Sequence, residues 1–264
     1  MYHIVTRCVT VISLLLLVVG LVSCGGGAAT PPPQEGPSGE ELVTKMKEAV
    51  KAVNSAHFTA EFQVASPEGP VKGTVEFWGE RPGKMRGEVT SETASVNGVI
   101  GVTDGQKGWA YNPNENIVLI SDKSQYKAQL RDQPELREIA NFAEKMLDRG
   151  FDNTEAVNQG AEEVNGRNTY KVQVTYGESD PELKGVTGVF WVDQETFLPQ
   201  RVEVTVEREG LTIGGFVALK GEIATGEAID AAKFTFDIPQ GADVLDLSQL
   251  PELPQIKKLP KIEE

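Results

Sequence analysis

Val71-Lys72-Gly73-Thr74-Val75-Glu76-Phe77-Trp78-Gly79-Glu80-Arg81-Pro82-Gly83 opens the stretch that decides the fold. Val71, Gly73, Val75 and Phe77 alternate with Lys72, Thr74 and Glu76, the period-two pattern of a strand with one wetted face. Arg81-Pro82-Gly83 ends the run, because proline fixes φ and glycine permits positive φ. Past Met85 and a polar hairpin at Ser91–Ser95 the chain reaches Thr103-Asp104-Gly105-Gln106-Lys107-Gly108-Trp109-Ala110-Tyr111-Asn112-Pro113. Asp104-Gly105 is a turn pair between two strand-like runs, Asn112-Pro113 closes the second, and Ile117–Ile120 opens another. Val71–Ile120 therefore reads as an antiparallel meander.

Upstream, Ser38 and Glu41 have capping-box spacing, and Leu42, Met46, Ala49, Val50 and Val53 recur at helical intervals, which predicts a helix over 39–55. Phe58, Ala60, Phe62 and Val64 alternate with polar residues as a first strand. Downstream the period changes. Leu136, Ile139, Ala140, Ala143, Met146 and Leu147 share one face of a helix starting near Pro134, with Gly150 as its C-cap. Strands resume at Tyr170–Tyr176, Gly188–Val192, Arg201–Glu207 and Leu211–Ile223, and Phe234–Phe236 reads as a short last one. About ten antiparallel strands, two helices and no parallel crossover give a mainly β (α+β) chain with a strongly curved sheet.

Three segments, in order, resemble the LolA/LolB-like superfamily of lipoprotein carriers. They are Trp78-Gly79-Glu80-Arg81-Pro82, then Thr103 through Pro113, then Asp230-Ala231-Ala232-Lys233-Phe234-Thr235-Phe236 with Pro239-Gln240-Gly241 as a closing strand. The resemblance covers about residues 40–245. It implies an open half-barrel whose N-terminal and central helices form a lid over a hydrophobic cavity. Alternation alone fits a filled core equally well, and for a small barrel-like sheet that is the commoner case. From alternation and motif position the candidate wall residues are Phe62, Val75, Phe77, Met85, Trp109 and Val172. The resemblance also implies that Arg81 bonds to the lid and governs its opening; a surface arginine beside a turn is the plainer reading of the same residue.

The N-terminus sets the address. Val9–Val22 is a nearly continuous apolar run that ends Leu21-Val22-Ser23-Cys24, similar to a bacterial lipobox. Residues 1–23 read as a lipoprotein signal peptide and Cys24 as the lipidated residue, followed by a Gly/Pro-rich tether over 24–39. A plain membrane anchor is the alternative, but the run is short for one and is followed by Gly25-Gly26-Gly27 instead of basic residues. This places the protein, exported and lipid-anchored, on the outer face of a bacterial membrane, nearer the anchored relatives than the soluble carrier. The Ser91–Ser95 tip lacks the large apolar residue expected of the LolB acceptor.

The net charge of −14 argues against nucleic acid as a partner. His57 is the one histidine beyond the signal segment, no Walker loop occurs, and both cysteines lie within the first 24 residues. No catalytic residue, metal site or cofactor is expected, and the chain is not read as an enzyme. The expected partners are acyl chains of lipids or lipoproteins and the anchoring membrane. The alternative is a signalling or scaffold lipoprotein that uses the same fold to sense acyl chains or hold a protein. In the tail, 246–264, Leu247, Leu250, Leu253, Ile256, Leu259 and Ile262 recur at every third position among prolines. That is polyproline II spacing, which suits either a strap on the protein's own surface or a segment bound by a protein partner.

Overall fold

A computed structural model describes residues 36–66, 69–122, 154–176, 185–208 and 211–246. Helix α1 (Gly39–Ala52) precedes a first meander: β1 (Ser55–Val64), β2 (Val71–Glu80), β3 (Lys84–Ser91), β4 (Ile100–Asp104), β5 (Lys107–Asn112) and β6 (Ile117–Asp122). A second meander follows: β7 (Thr154–Val164), β8 (Arg167–Tyr176), β9 (Val186–Asp193), β10 (Pro199–Arg208) and β11 (Leu211–Leu219). The chain then forms β12 (Ala224–Thr225), a 3-10 turn (Ala231–Phe234) and β13 (Asp243–Asp246). All thirteen strands belong to one sheet in the order β13-β6-β5-β4-β3-β2-β1-β11-β10-β9-β8-β7, with β12 beside β1. The two meanders join where β1 pairs antiparallel with β11, Ala60 opposite Leu219 and Phe62 opposite Val217.

The local reasons are visible in the chain. The Asp104 carboxylate accepts from the backbone N–H groups of Gln106 (2.8 Å) and Lys107 (2.7 Å), which closes the β4–β5 turn. Asn165 and Gly166 both have positive φ, the backbone of a two-residue hairpin whose twist matches its strands. Ser38 Oγ accepts from the Glu41 N–H at 3.1 Å and caps α1. Leu42, Val43 and Met46 are buried. They pack with Ala156, Val172, Val174, Val186, Phe190 and Val192 into a closed core over one end of the sheet. Gly39 is required where α1 enters: a Cβ there would lie 2.1 Å from the Ala156 carbonyl oxygen.

Several expectations need correction. Among the described residues the sheet has thirteen strands, not about ten, since β7, β12 and β13 add to the sequence reading. It is not wholly antiparallel: β13 runs parallel to β6. Phe234–Phe236 is not a strand. Asp230 Oδ1 accepts from the Ala232 N–H and initiates a 3-10 turn, while the Arg86 guanidinium donates to the carbonyls of Lys233 (3.2 Å) and Thr235 (3.3 Å), drawing them from any ladder. That turn belongs to a strap crossing the sheet on the side away from α1. The strap meets β6 at its start, where Asn116 Nδ2 donates to the Gly241 carbonyl (2.7 Å) and the Asp243 N–H to the Asn116 carbonyl (2.9 Å). Arriving at that end, the chain can only continue parallel to β6. Helix α1 stops at Ala52, with Val53 already extended, and Val50 is 42% exposed instead of facing the core. The β11 strand stops at Leu219, short of Ile223. The central helix near Pro134, Cys24 with its tether up to residue 35, and the tail beyond Asp246 lie outside the described residues, while Gly39, the last tether residue by the sequence reading, already opens α1.

Candidate functional site

Register decides which side chains share a face, because directly paired residues project to the same side of a sheet. One row runs Val172–Phe190–Val202–Val217–Phe62–Gly73 across six strands, each residue opposite the next. A second runs Phe58–Phe77–Gly87–Gly101–Ala110–Leu119–Leu245. Both lie on the face that carries α1, the inner face. Its residues form three apolar clusters. The first is the closed core under α1; the second gathers Ala60, Val75 and Leu219 with Phe58 and Val217; the third joins Ala110 and Leu119 to Ile117 and Leu245. Between the second and third lie Gly87 and Gly101. A Cβ on Gly101 would meet nothing within 4 Å among the described residues.

Five of the six candidate wall residues fall on this inner face. Phe62 is half-buried, its ring above Gly73, where a Cβ would come within 3.0 Å of the ring. Val75 and Phe77 are buried, and the Phe77 ring stacks on Phe58 with centroids 4.9 Å apart. Met85 is half-buried opposite Thr103. Val172 is fully buried beneath α1. Trp109 is placed differently. It pairs with Val102 and Ile120, one residue out of step with Ala110, and so projects from the outer face. Strand β5 is apolar on both sides, Ala110 on one and Trp109 and Tyr111 on the other, so alternation could not choose between them. Trp78 lies on the outer face too, between the His57 ring (5.0 Å, nearly parallel) and the Lys233 ammonium, 3.7 Å from its centroid.

Arg81 sits at the β2–β3 turn, joined to Pro82 by a cis peptide. Its Nε donates to the Val53 carbonyl at 2.8 Å and its Nη2 to the Val50 carbonyl at 3.3 Å. The Val50 carbonyl also accepts from the Val53 N–H at 3.3 Å, so Arg81 adds a second donor at the end of the helix, and the cation complements the negative end of the helix dipole. At the opposite end, Asn158 Nδ2 donates to the Pro37 carbonyl at 2.9 Å. Helix α1 is thus pinned to edge strand β7 at its start and to the β2–β3 turn at its finish, spanning the inner face between them.

His57 is engaged. Its Nε2 lies 3.0 Å from Glu76 Oε1, and with Trp78, Ala224, Glu227, Asp230 and Lys233 it borders a shallow outer-face cavity of about 160 Å³. Among the described residues no three His, Cys, Asp or Glu side chains are grouped to hold a metal ion. Sequence reasoning passed over β7, for which Asn165-Gly166 was the available signal. It read Asp230–Gly241 as a closing strand, because the bonds that make this segment a strap come from distant Arg86 and Asn116.

No family model and no curated protein matches the chain. Among solved structures, an uncharacterized conserved protein from Thermus thermophilus is similar at 12% identity, with a TM-score of 0.46, over 78% of this chain and 98% of that one. Lipoprotein LppX of Mycobacterium tuberculosis is similar at 11% identity, with a TM-score of 0.41, over 68% and 91%. A LolA superfamily protein from Nitrosomonas europaea is similar at 13% identity, with a TM-score of 0.34, over 76% and 99%. At 11–13% identity and TM-scores below 0.5 these are distant likenesses of structure alone.

Proposed function

We propose that this protein binds acyl chains of lipids or lipoproteins on the inner face of its sheet, anchored at the cell envelope through Cys24, and acts in their transfer or localisation. One observation carries the reading. Every strand from β8 to β6 except β4, which presents Gly101 and Thr103, sets apolar side chains on the inner face, yet α1 closes a core over only one end of it. Beyond α1, Phe58, Phe62, Val217 and Met85 are half-buried instead of closed off. Moving a chain of about sixteen methylenes from water onto such a face gains on the order of 10 kcal/mol, at about 0.8 kcal/mol per buried CH₂. Moving the same chain out of a bilayer gains almost nothing, since it was already dry. That near-balance suits hand-off between apolar environments. Arg81, holding the C-terminus of α1, is the residue through which opening would be controlled.

The test is native mass spectrometry on a soluble form beginning at Gly36, purified without detergent, followed by lipid extraction. Near one acylated molecule per protein is expected. An empty protein that also fails to take up a fluorescent fatty acid would overturn the reading.

A further inference from the structure

The inner face does not stay apolar to its rim. One row beyond Phe77–Gly87–Gly101–Ala110 lies Gly79–Met85–Thr103–Gly108–Ser121, the last inner-face row before the turns at Arg81–Gly83 and Gly105–Gln106. Two hydroxyls stand in it with a glycine between them. Thr103 Oγ1 accepts from the Gly105 N–H at 3.0 Å, which occupies a lone pair and leaves its hydrogen to donate. Ser121 Oγ has no hydrogen-bond partner among the described residues. It leans across Gly108, lying 2.9 Å from where a Cβ on that residue would be. All three residues are half-exposed, so the notch between the hydroxyls opens at the rim.

We infer that Thr103 and Ser121 hold the oxygens of an acyl ligand's carboxyl or ester group, while the chain extends inward over Gly101 and toward Phe77 and Phe62. The inference rests on the acyl-binding reading of the inner face and adds which end of the ligand lies where. Thr103 and Ser121 are two strand spacings apart, about 10 Å between backbones. Two hydrogen bonds to a carboxyl or ester group span roughly 8 Å from hydroxyl to hydroxyl. A side chain at 108 would collide with Ser121 Oγ, and glycine lets that hydroxyl lean over β5, so the hydroxyls stand closer together than the backbones. The charged residues of the next row, Lys84, Asp104, Lys107 and Asp122, project from the outer face. The notch is therefore lined by neutral donors, suited to carbonyl oxygens.

The test compares full-length wild-type protein with Ser121→Ala and with Thr103→Val/Ser121→Ala, by displacement of a fluorescent fatty acid. The competitors are palmitate, monopalmitin and a hydrocarbon of equal length. Ser121→Ala removes a hydroxyl that has no partner among the described residues, so its thermal midpoint should match wild type. The double variant should bind palmitate and monopalmitin about thirtyfold more weakly, two hydrogen bonds at their usual net worth, with hydrocarbon binding unchanged. A loss for palmitate alone assigns the notch to the free acid; a loss for both assigns it to any acyl carbonyl. Unchanged affinity for both carbonyl ligands, or an equal loss for the hydrocarbon, overturns the inference while leaving the acyl-binding reading in place. Wild-type protein that binds none of the probes overturns both.

Discussion

Replacing Arg81 with leucine removes the side-chain bonds to the Val53 and Val50 carbonyls and leaves the backbone bond from the Arg81 N–H to the Asn54 carbonyl (2.8 Å) intact. The guanidinium is exposed, and one of its two bonds is long at 3.3 Å. Together with the lost charge at the helix C-terminus, the change should cost about 1–2 kcal/mol. Against this stand Leu42, Val43 and Met46, all buried in the first half of α1, whose burial contributes about 2 kcal/mol each. The helix should therefore remain docked at Gly39–Met46 while its last turn loosens. A thermal midpoint lower by roughly 2–6 °C is expected for a domain of this size. Hydrogen exchange should show about tenfold lower protection at Lys47–Val53 and unchanged protection at Leu42–Met46. Acyl-probe exchange on the same samples should accelerate by more than the stability loss explains. Uniform loss of protection along the whole helix, or a last turn as protected as in wild type, would refute the reasoning that Arg81 clamps one end alone.

Gly39→Val places a side chain 2.1 Å from the Ala156 carbonyl oxygen; overpacking there should destabilise by about 1–3 kcal/mol and unseat the start of α1, read by chemical denaturation. Asp193 is buried, which pushes its carboxyl pKa up, but N–H and hydroxyl donors of Thr196, the Arg167 guanidinium and the Glu195 N–H outweigh this and hold it below the ordinary value of 3.8. A carboxylate depressed in the fold lends stability that is present above its unfolded pKa and lost as pH falls through the folded one. Asp193→Asn should therefore be less stable at pH 7 and show a flatter acid dependence below about pH 4 in urea titrations, and parallel curves for the two proteins would contradict this. Finally, Trp78, Trp109 and Trp191 all project from the outer face by register. A brominated fatty acid on the inner face should quench wild-type tryptophan weakly and Phe62→Trp strongly; equal quenching would show that the faces are misassigned.

Much of the architecture could be read residue by residue. The alternations at Phe58–Val64, Val71–Phe77 and Tyr170–Tyr176, the Asp104-Gly105 turn and the Ser38 cap are written in the conformational preferences of a few neighbouring residues, and each stands where it was expected. Trp109 shows where such reading stops. Its strand was legible, but its face depends on pairing with Val102 and Ile120, and hence on turn geometry that composition leaves free. The Thr103–Ser121 notch depends on the same register. The join of β1 to β11 brings residue 60 to residue 219, and the parallel β13 is dictated by where the strap lands on Asn116. Most strands of the two meanders, the Asp104-Gly105 turn and the capped helix were legible, because φ preferences and period-two burial act over a few residues. Which face each side chain serves, and how the last strand runs, followed from hydrogen bonds between residues far apart in the chain, which no local pattern encodes.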